Sequence, residues 1–398
     1  MNPLWMVVAD LRKTLLASLG ILVLLAIAFS ATVAVSLFER SLRQAGATSA
    51  QDFDLVVGAA GSRLDLVLAS VYLRTDEVLP LLPFEIVEKL GADPRVARVS
   101  PLVFADHFDD FPIVGVGGDF PLLRPALRLV AGRWPGKPFE TVAGAGTRLA
   151  LGTVFFGSHG VAGRPGVDEE VHKQAAYHIV GVLAPTGTPW DRSLLTPFNS
   201  LWILHETLET NPEPEEKAAV RKVSAVLVKP KDFASAYALR AEYRQGATTA
   251  AFPGEVLAGL FGLFDTVKTA LSLVNLVFQA LVFAAVLLSL LAGLPSKARW
   301  IGLLRALGAG PGYVFLTLWI QAALVFLAAG MTGALVGWLG AQAMASFVDA
   351  QSGLALSVVW SWAETTLLAV FWLVGLVGAL VPAVAGYRTS VRRSLLGL

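Results

Sequence analysis

The chain has 398 residues, is 55% hydrophobic and 15% charged, and has a mean hydropathy of +0.64. Those values exceed those of an ordinary soluble protein and point to a membrane. A net charge of +1 gives no footprint for nucleic acid, and the absence of cysteine excludes a disulfide framework and cysteine metal sites.

A bilayer core about 30 Å thick needs roughly 20 apolar helical residues. Four segments qualify: Leu15 to Leu37, Val267 to Leu291, Tyr313 to Leu339 and Thr365 to Val384. Residues 1–14 precede the first and carry Arg12 and Lys13. Small residues such as Ala31 and Ala34 invite comparison with a signal peptide. The apolar run is longer than an h-region of about 7–15 residues, which favours an uncleaved anchor.

The region 38–266 holds most of the Asp and Glu and is expected to be a water-facing α+β domain between the first and second spans. Its roughly 225 residues suffice for one or two compact domains. DFDLVVGA, FPIVGVGG and KVSAVLVKP are Val- and Ile-rich, bounded by Gly or Pro, and predict strands. PFEIVEKLGADPRV predicts a short helix with Glu85, Glu88 and Lys89 on its wet side, and Asp232 to Gln245 a second helix. The Gly- and Pro-rich stretch 124–217 is expected to be a β subdomain inserted into an α/β subdomain of 50–123 and 218–250, with Asn211 to Lys217 as exit hinge.

Lys297, Arg299 and Arg305 lie between the second and third spans, in 292–312, and Arg388, Arg392 and Arg393 in the tail, 385–398. The loop 340–364 has Asp349 and Glu364 but no Lys or Arg. Positive charge accumulates on short cytoplasmic loops, so both termini and 292–312 are expected in the cytoplasm and the α+β domain outside.

Chemistry-bearing motifs are missing. No stretch fits GxxxxGK[ST], which surrounds nucleotide phosphates with backbone amides and a lysine; GVGGDF and GAAGSR are turns. GxSxG is absent, and His205-Glu206 is not followed by the second histidine of HExxH. His107, His159, His172, His178 and His205 all fall in the α+β region, where ADHFDD offers imidazole beside carboxylates, but spans exclude histidine anyway and no metal is expected. Asp65, Glu77, Glu85 and Glu88 are expected on solvated faces. Trp134, Trp190 and Trp202 are expected in the core, with a partner surface as the alternative for Trp190 in LAPTGTPWDR.

Three pieces of the chain resemble the permease subunits of MacB/FtsX/LolC-like (type VII) ABC transporters. IGLLRALGA, Ile301 to Ala309, resembles the family's REIGILRALGA; AGRWPGKPFETVAGAGTRLALG, Ala131 to Gly152, is similar to its pattern of GRW, an acidic residue, small residues and LG. VPAVAGYRTSVRRSLLGL, Val381 to Leu398, resembles PAxxAxRxxPxxxLR without its second proline and final arginine. DFDLVVGAAGSRLDLVLASVYL, Asp52 to Leu73, resembles the DxVVGAKGSPL-like start of the outer domain in a subgroup. Trp300 stands where the family has Glu, so a polar contact of that Glu does not carry over.

The resemblance implies a non-catalytic, stand-alone permease in a bacterial inner membrane, without a fused ATPase domain. It would hold no cofactor of its own, ATP and Mg being bound by a separate cytoplasmic ATPase. A second permease chain, identical or related, membrane lipids, and a periplasmic adaptor or substrate protein are the other implied partners. Lys297, Arg299, Trp300, Ile301, Leu303, Leu304, Arg305, Leu307 and Gly308 then become candidates for a coupling helix that receives force from the ATPase. The alternative is an amphipathic helix whose Lys297, Arg299 and Arg305 meet anionic headgroups. Asn275, Gln279 and Gln321, inside spans, are expected to bond between helices, and Gly333 and Gly337 form a GxxxG that serves either a dimer or packing within one chain. Functional alternatives are an FtsX-like subunit that activates a periplasmic cell-wall hydrolase, and a membrane-anchored receptor without an ATPase.

Overall fold

The computed structural model describes residues 3–74, 79–159, 171–208 and 221–388. Glu77, the expected hinge Asn211 to Lys217, and the tail residues Arg392 and Arg393 lie outside them. The chain divides into two compact units. One comprises Met1–Ser41, Phe264–Ser346 and Ser357–Leu398, and the other Leu42–Leu263 with Phe347–Leu356.

Helix α1, Pro3–Lys13, carries Arg12 and Lys13 in its last turn, where cations complement the helix dipole. Helix α2 follows as Leu15–Ala50.

The second unit is an α+β domain. Its strands are β1 (Leu55–Ala59), β2 (Leu82–Pro83), β3 (Val96–Phe108), β4 (Phe111–Val116), β5 (Leu129–Gly132), β6 (Glu140–Ala143), β7 (Val154–His159), β8 (Val171–Leu183), β9 (Leu194–Pro197), β10 (Lys222–Val223), β11 (Ala225–Pro230) and β12 (Thr248–Ala251). Ten strands make one sheet, ordered β12-β1-β11-β3-β4-β9-β6-β8-β5, with β7 paired to β3 and β8. The stretch 124–217, expected as a separate insertion, therefore shares its sheet with the rest: β9 lies parallel to β4, with Ile113 opposite Leu194 and Val116 opposite Pro197. A run of Gly and Pro marks turns and does not report which strands pair across them.

Alternation explains why both faces of this sheet are covered. Val56, Leu102, Val114, Leu195 and Leu227 face one apolar cluster, and Leu55, Val57, Val103, Ile113, Leu194, Val226 and Val228 face the other. Helices α3 (Arg63–Tyr72) and α5 (Phe120–Leu123) supply the first, and α4 (Glu85–Ala92), α6 (Phe198–Leu208) and α7 (Phe233–Tyr243) the second. The GAAGSR segment ends in a cap: the Ser62 hydroxyl accepts the Asp65 N–H, opening α3. Glu85 and Glu88 are exposed in the first turn of α4, as a solvated face requires.

The remaining helices are α8 (Pro253–Ala292), α9 (Leu294–Ala306), α10 (Pro311–Ser352), α11 (Trp362–Gly378) and α12 (Leu380–Tyr387). Leu15–Ala50, Lys268–Ala292, Pro311–Ser352 and Trp362–Tyr387 are long and apolar enough to cross a membrane. Helix α10 continues well past Leu339, because 340–352 holds no breaker after Gly340, and stops at Gly353, whose φ of +68° suits a glycine after a helix end. The expected loop shrinks accordingly. Pro382 separates α11 from α12, since it lacks the N–H that would bond to Gly378.

Within the helical unit, Gly333 and Gly337 of α10 lie directly against α2. A Cβ on Gly333 would stand 2.8 Å from the Ala26 carbonyl oxygen, and one on Gly337 2.6 Å from that of Ser30. Of the two roles open to this GxxxG, the structure shows packing within one chain.

Candidate functional site

Helix α9 and the turn that closes it contain the sequence IGLLRALGA, Ile301 to Ala309. The helix starts with Pro295 in its first turn and ends in a Schellman motif: the Gly308 N–H donates to the Arg305 carbonyl at 3.1 Å and the Ala309 N–H to that of Leu304 at 3.0 Å. Gly308, at φ +96°, is the left-handed residue this motif requires, and Pro311 opens the next helix. The LGAGPG run is thus a stop followed by a start.

The helix has two distinct faces. Ile301 is buried against Val314 and Leu318 of α10 and Ala383 of α12, with Trp300, Leu294, Phe315 and Trp319 packed around it, and Leu304 is buried as well. Leu303 and Leu307 point away and are 57% and 76% exposed. Trp300 is half-buried in this cluster, so the apolar side chain that replaces the family's Glu packs on the chain's own spans. Arg305 is half-buried in the last turn, and the side chain of Arg299 lies outside the described residues.

Lys297 is held in a polar cluster. Its ammonium donates to the Asp10 carboxylate of α1 and, at 3.0 Å, to Gln321 Oε1 of α10. That contact ties α1, α9 and α10 together and directs Lys297 into the protein. Gln321 accordingly bonds between helices. Asn275 Nδ2 donates to Thr32 Oγ1 at 2.8 Å, and Gln279 Nε2 donates to the same hydroxyl and, at 3.5 Å, to the Ala28 carbonyl, joining α8 to α2.

Two ion pairs escaped sequence reasoning. Lys268 Nζ meets Glu39 Oε2 at 2.6 Å, and Arg40 Nη1 meets both oxygens of Glu364 at 2.8 and 2.7 Å. Ser361 and Glu364 form a capping box at the start of α11, a pattern legible as Ser-x-x-Glu before an apolar run. Neither the box nor the adjacent Glu39-Arg40 names its partner.

The GRW pattern is structural. Arg133 and Glu140 form a two-pronged pair, Nη1 to Oε2 at 2.7 Å and Nη2 to Oε1 at 2.5 Å, and the Gly136 and Lys137 amides donate to the same carboxylate. Gly132 sits at φ +76°, and a Cβ there would meet the Val180 carbonyl oxygen at 2.1 Å, so the position requires glycine. Arg133 and these amides hold the Glu140 carboxyl down at about 2. Since the folded value is below the ordinary one of 4.5, the stabilisation is present above about pH 4.5 and fades as pH falls towards 2. The parent and a Glu140→Gln chain are therefore expected to differ in thermal midpoint at neutral pH and to converge near pH 2. A constant gap across that window would contradict the assignment.

Trp190 is fully buried, with Nε1 donating to the Val71 carbonyl at 3.2 Å, so it is a core residue and not a partner contact. Trp202 donates to the Lys222 carbonyl at 3.0 Å, and Trp134 packs on the first apolar cluster. His107 and His172 are buried, with His172 Nε2 3.6 Å from Asp106, while His178 is exposed. The side chains of His159 and His205 lie outside the described residues. Among the described residues no group of three or more His, Asp or Glu is placed to hold a metal ion.

Residues 272–391 match the family model of the FtsX-like permease C-terminal domain. No curated protein matches the chain. Solved structures similar to it include the periplasmic region of MacB from Actinobacillus actinomycetemcomitans, 10% identical over 53% of this chain and 94% of that one, with a TM-score of 0.35. The extracellular domain of the noncanonic ABC-type transporter YknZ from Gram-positive bacteria is 12% identical over 50% of this chain and 98% of that one, with a TM-score of 0.29. Residues 272–391 therefore form an FtsX-like permease C-terminal domain, in a chain with four span-length helices and an α+β domain between the first and second.

Proposed function

We propose that this chain is the membrane subunit through which a separate cytoplasmic ATPase drives movement of the extracytoplasmic domain, for export or extraction of a substrate. Two permease chains, identical or related, pair with two ATPase copies that bind ATP and Mg, in a bacterial inner membrane with both termini cytoplasmic. Cargo or a periplasmic adaptor is handled on the outer side. The observation that carries this reading is the division of α9. Ile301 fixes the helix to α10 and α12, Leu304 is buried too, and Leu303 and Leu307 leave an apolar face open. A helix fixed on one side and bare on the other suits force transfer by rigid-body movement.

The docking set is accordingly Leu303 and Leu307 with the exposed Ala306 between them, and Leu304 belongs to the inner side. Leu303→Asp with Leu307→Asp is expected to reduce the ATPase recovered with the chain from solubilised native membranes at least about 10-fold, the effect of losing a pair of central contacts. Membrane insertion and the thermal midpoint stay unchanged, because both side chains are exposed in the free chain. Recovery of the parental amount of ATPase with that variant removes the reading.

A further inference from the structure

The segment Phe347–Leu356, which connects α10 to α11, belongs to the α+β unit. It is held there by the LAPTGTPWDR loop. Asp191 shapes this loop: its carboxylate accepts the Thr186 N–H at 2.9 and 3.0 Å, the Gly187 N–H at 2.8 Å and the Thr186 hydroxyl at 2.8 Å. The turn, with Gly187 at φ +70°, presents the Gly187 carbonyl to the Ala355 N–H at 3.0 Å. Arg192 supplies the second hold. Its Nη1 donates to the Ala350 carbonyl at 2.7 Å, in the last turn of α10, where unpaired carbonyls and the helix dipole favour a cation. Its stem packs on Gly353, where a Cβ would lie 2.9 Å from Arg192 Cδ. Leu354 and Leu356 are buried, and the adjacent Trp190 roots the loop in the core.

We propose that Thr186–Arg192 is a clasp that keeps the α10–α11 connector on the α+β domain. The domain then has a third attachment to the spans, besides the chain's entry at Leu42 and exit at Leu263. Asp191 and Arg192 are its positioning residues. The clasp's purpose rests on the permease reading: displacement of α10 enters the β region through Arg192 as well as through α2 and α8.

The parent has no cysteine, so a single engineered pair can be read cleanly. A Cβ on Gly187 would stand 3.1 Å from that of Ala355, near the disulfide range of about 3.5–4.5 Å. In the full chain in lipid nanodiscs, Gly187→Cys with Ala355→Cys is expected to crosslink within the chain in most molecules under mild oxidation. Adding Arg192→Ala lowers the yield several-fold, and Arg192→Lys, which keeps a cationic donor, restores it. Failure to crosslink while both cysteines accept a maleimide overturns the clasp, as does a yield indifferent to Arg192→Ala. A second measurement avoids substitution at Gly187: hydrogen exchange at the Ala355 amide is expected to speed up several-fold in Arg192→Ala alone, and unchanged exchange likewise overturns the proposal. Recovery of no ATPase with a chain that does crosslink would remove the permease reading and leave the clasp standing.

Discussion

Arg40→Met is expected to destabilise the helical unit by about 3 kcal/mol, the lower end of the cost of leaving one partner of a buried ion pair behind. Glu364 is fully buried in the first turn of α11 and Arg40 is about a third exposed. Without Arg40 the carboxylate keeps the Ser36 hydroxyl at 3.0 Å, the Ser361 N–H at 3.0 Å and the Ser361 hydroxyl at 2.8 Å. Those donors place the effect at the lower end and do not replace the counter-charge. Arg40 also donates to the Val359 carbonyl at 2.5 Å, and that carbonyl loses its partner. Glu364→Gln should cost less, because a neutral amide needs no counter-ion and Arg40 can turn to water. The double variant should be more stable than the sum of the singles implies, and that coupling separates the pair from mere packing. Unfolding by a graded denaturing detergent, or steric trapping in bicelles, measures all three. A penalty for Arg40→Met below about 1 kcal/mol would place the pair among ordinary surface contacts.

Gly337→Leu is expected to cost about 3 kcal/mol or to prevent folding, the upper end of overpacking, because α2 offers backbone where the new side chain must go. A Cβ at this site stands 2.6 Å from the Ser30 carbonyl oxygen and 2.8 Å from Val33 Cβ, and neither is a flexible tip. Gly340, on the same helix, is the control. Its Cβ would meet nothing nearer than Ala34 Cβ at 4.0 Å, so Gly340→Ala should be neutral or slightly stabilising. The unfolding midpoint of the monomeric chain in detergent reads both. If Gly337→Leu leaves that midpoint unchanged and only weakens self-association, the contact serves a dimer.

Much of this was legible in the sequence wherever one segment suffices. The spans follow from apolar run length, and β1, β4 and β11 from Val- and Ile-rich runs bounded by Gly or Pro. The sequence also predicts that Asn275, Gln279 and Gln321 bond between helices, but not that Thr32 serves two of them and Lys297 the third. Ser361-x-x-Glu364 announces a cap without announcing that its carboxylate also receives Arg40, 324 positions away.

By itself, then, the sequence determined four span-length apolar helices, the α+β class of the domain between the first two, and a short basic helix between the second and third. These depend on hydropathy, periodicity and turn chemistry, which act over a few residues. The tertiary structure alone decided that Ile301 and Leu304 face inward while Leu303 and Leu307 face out, that Lys297 serves Asp10 and Gln321, that stretch 124–217 joins the common sheet, and that Arg192 holds the end of α10. Every one of these depends on which distant surface fills the space beside a residue, and an isoleucine and three leucines on one short segment look alike until a neighbouring span covers some of them.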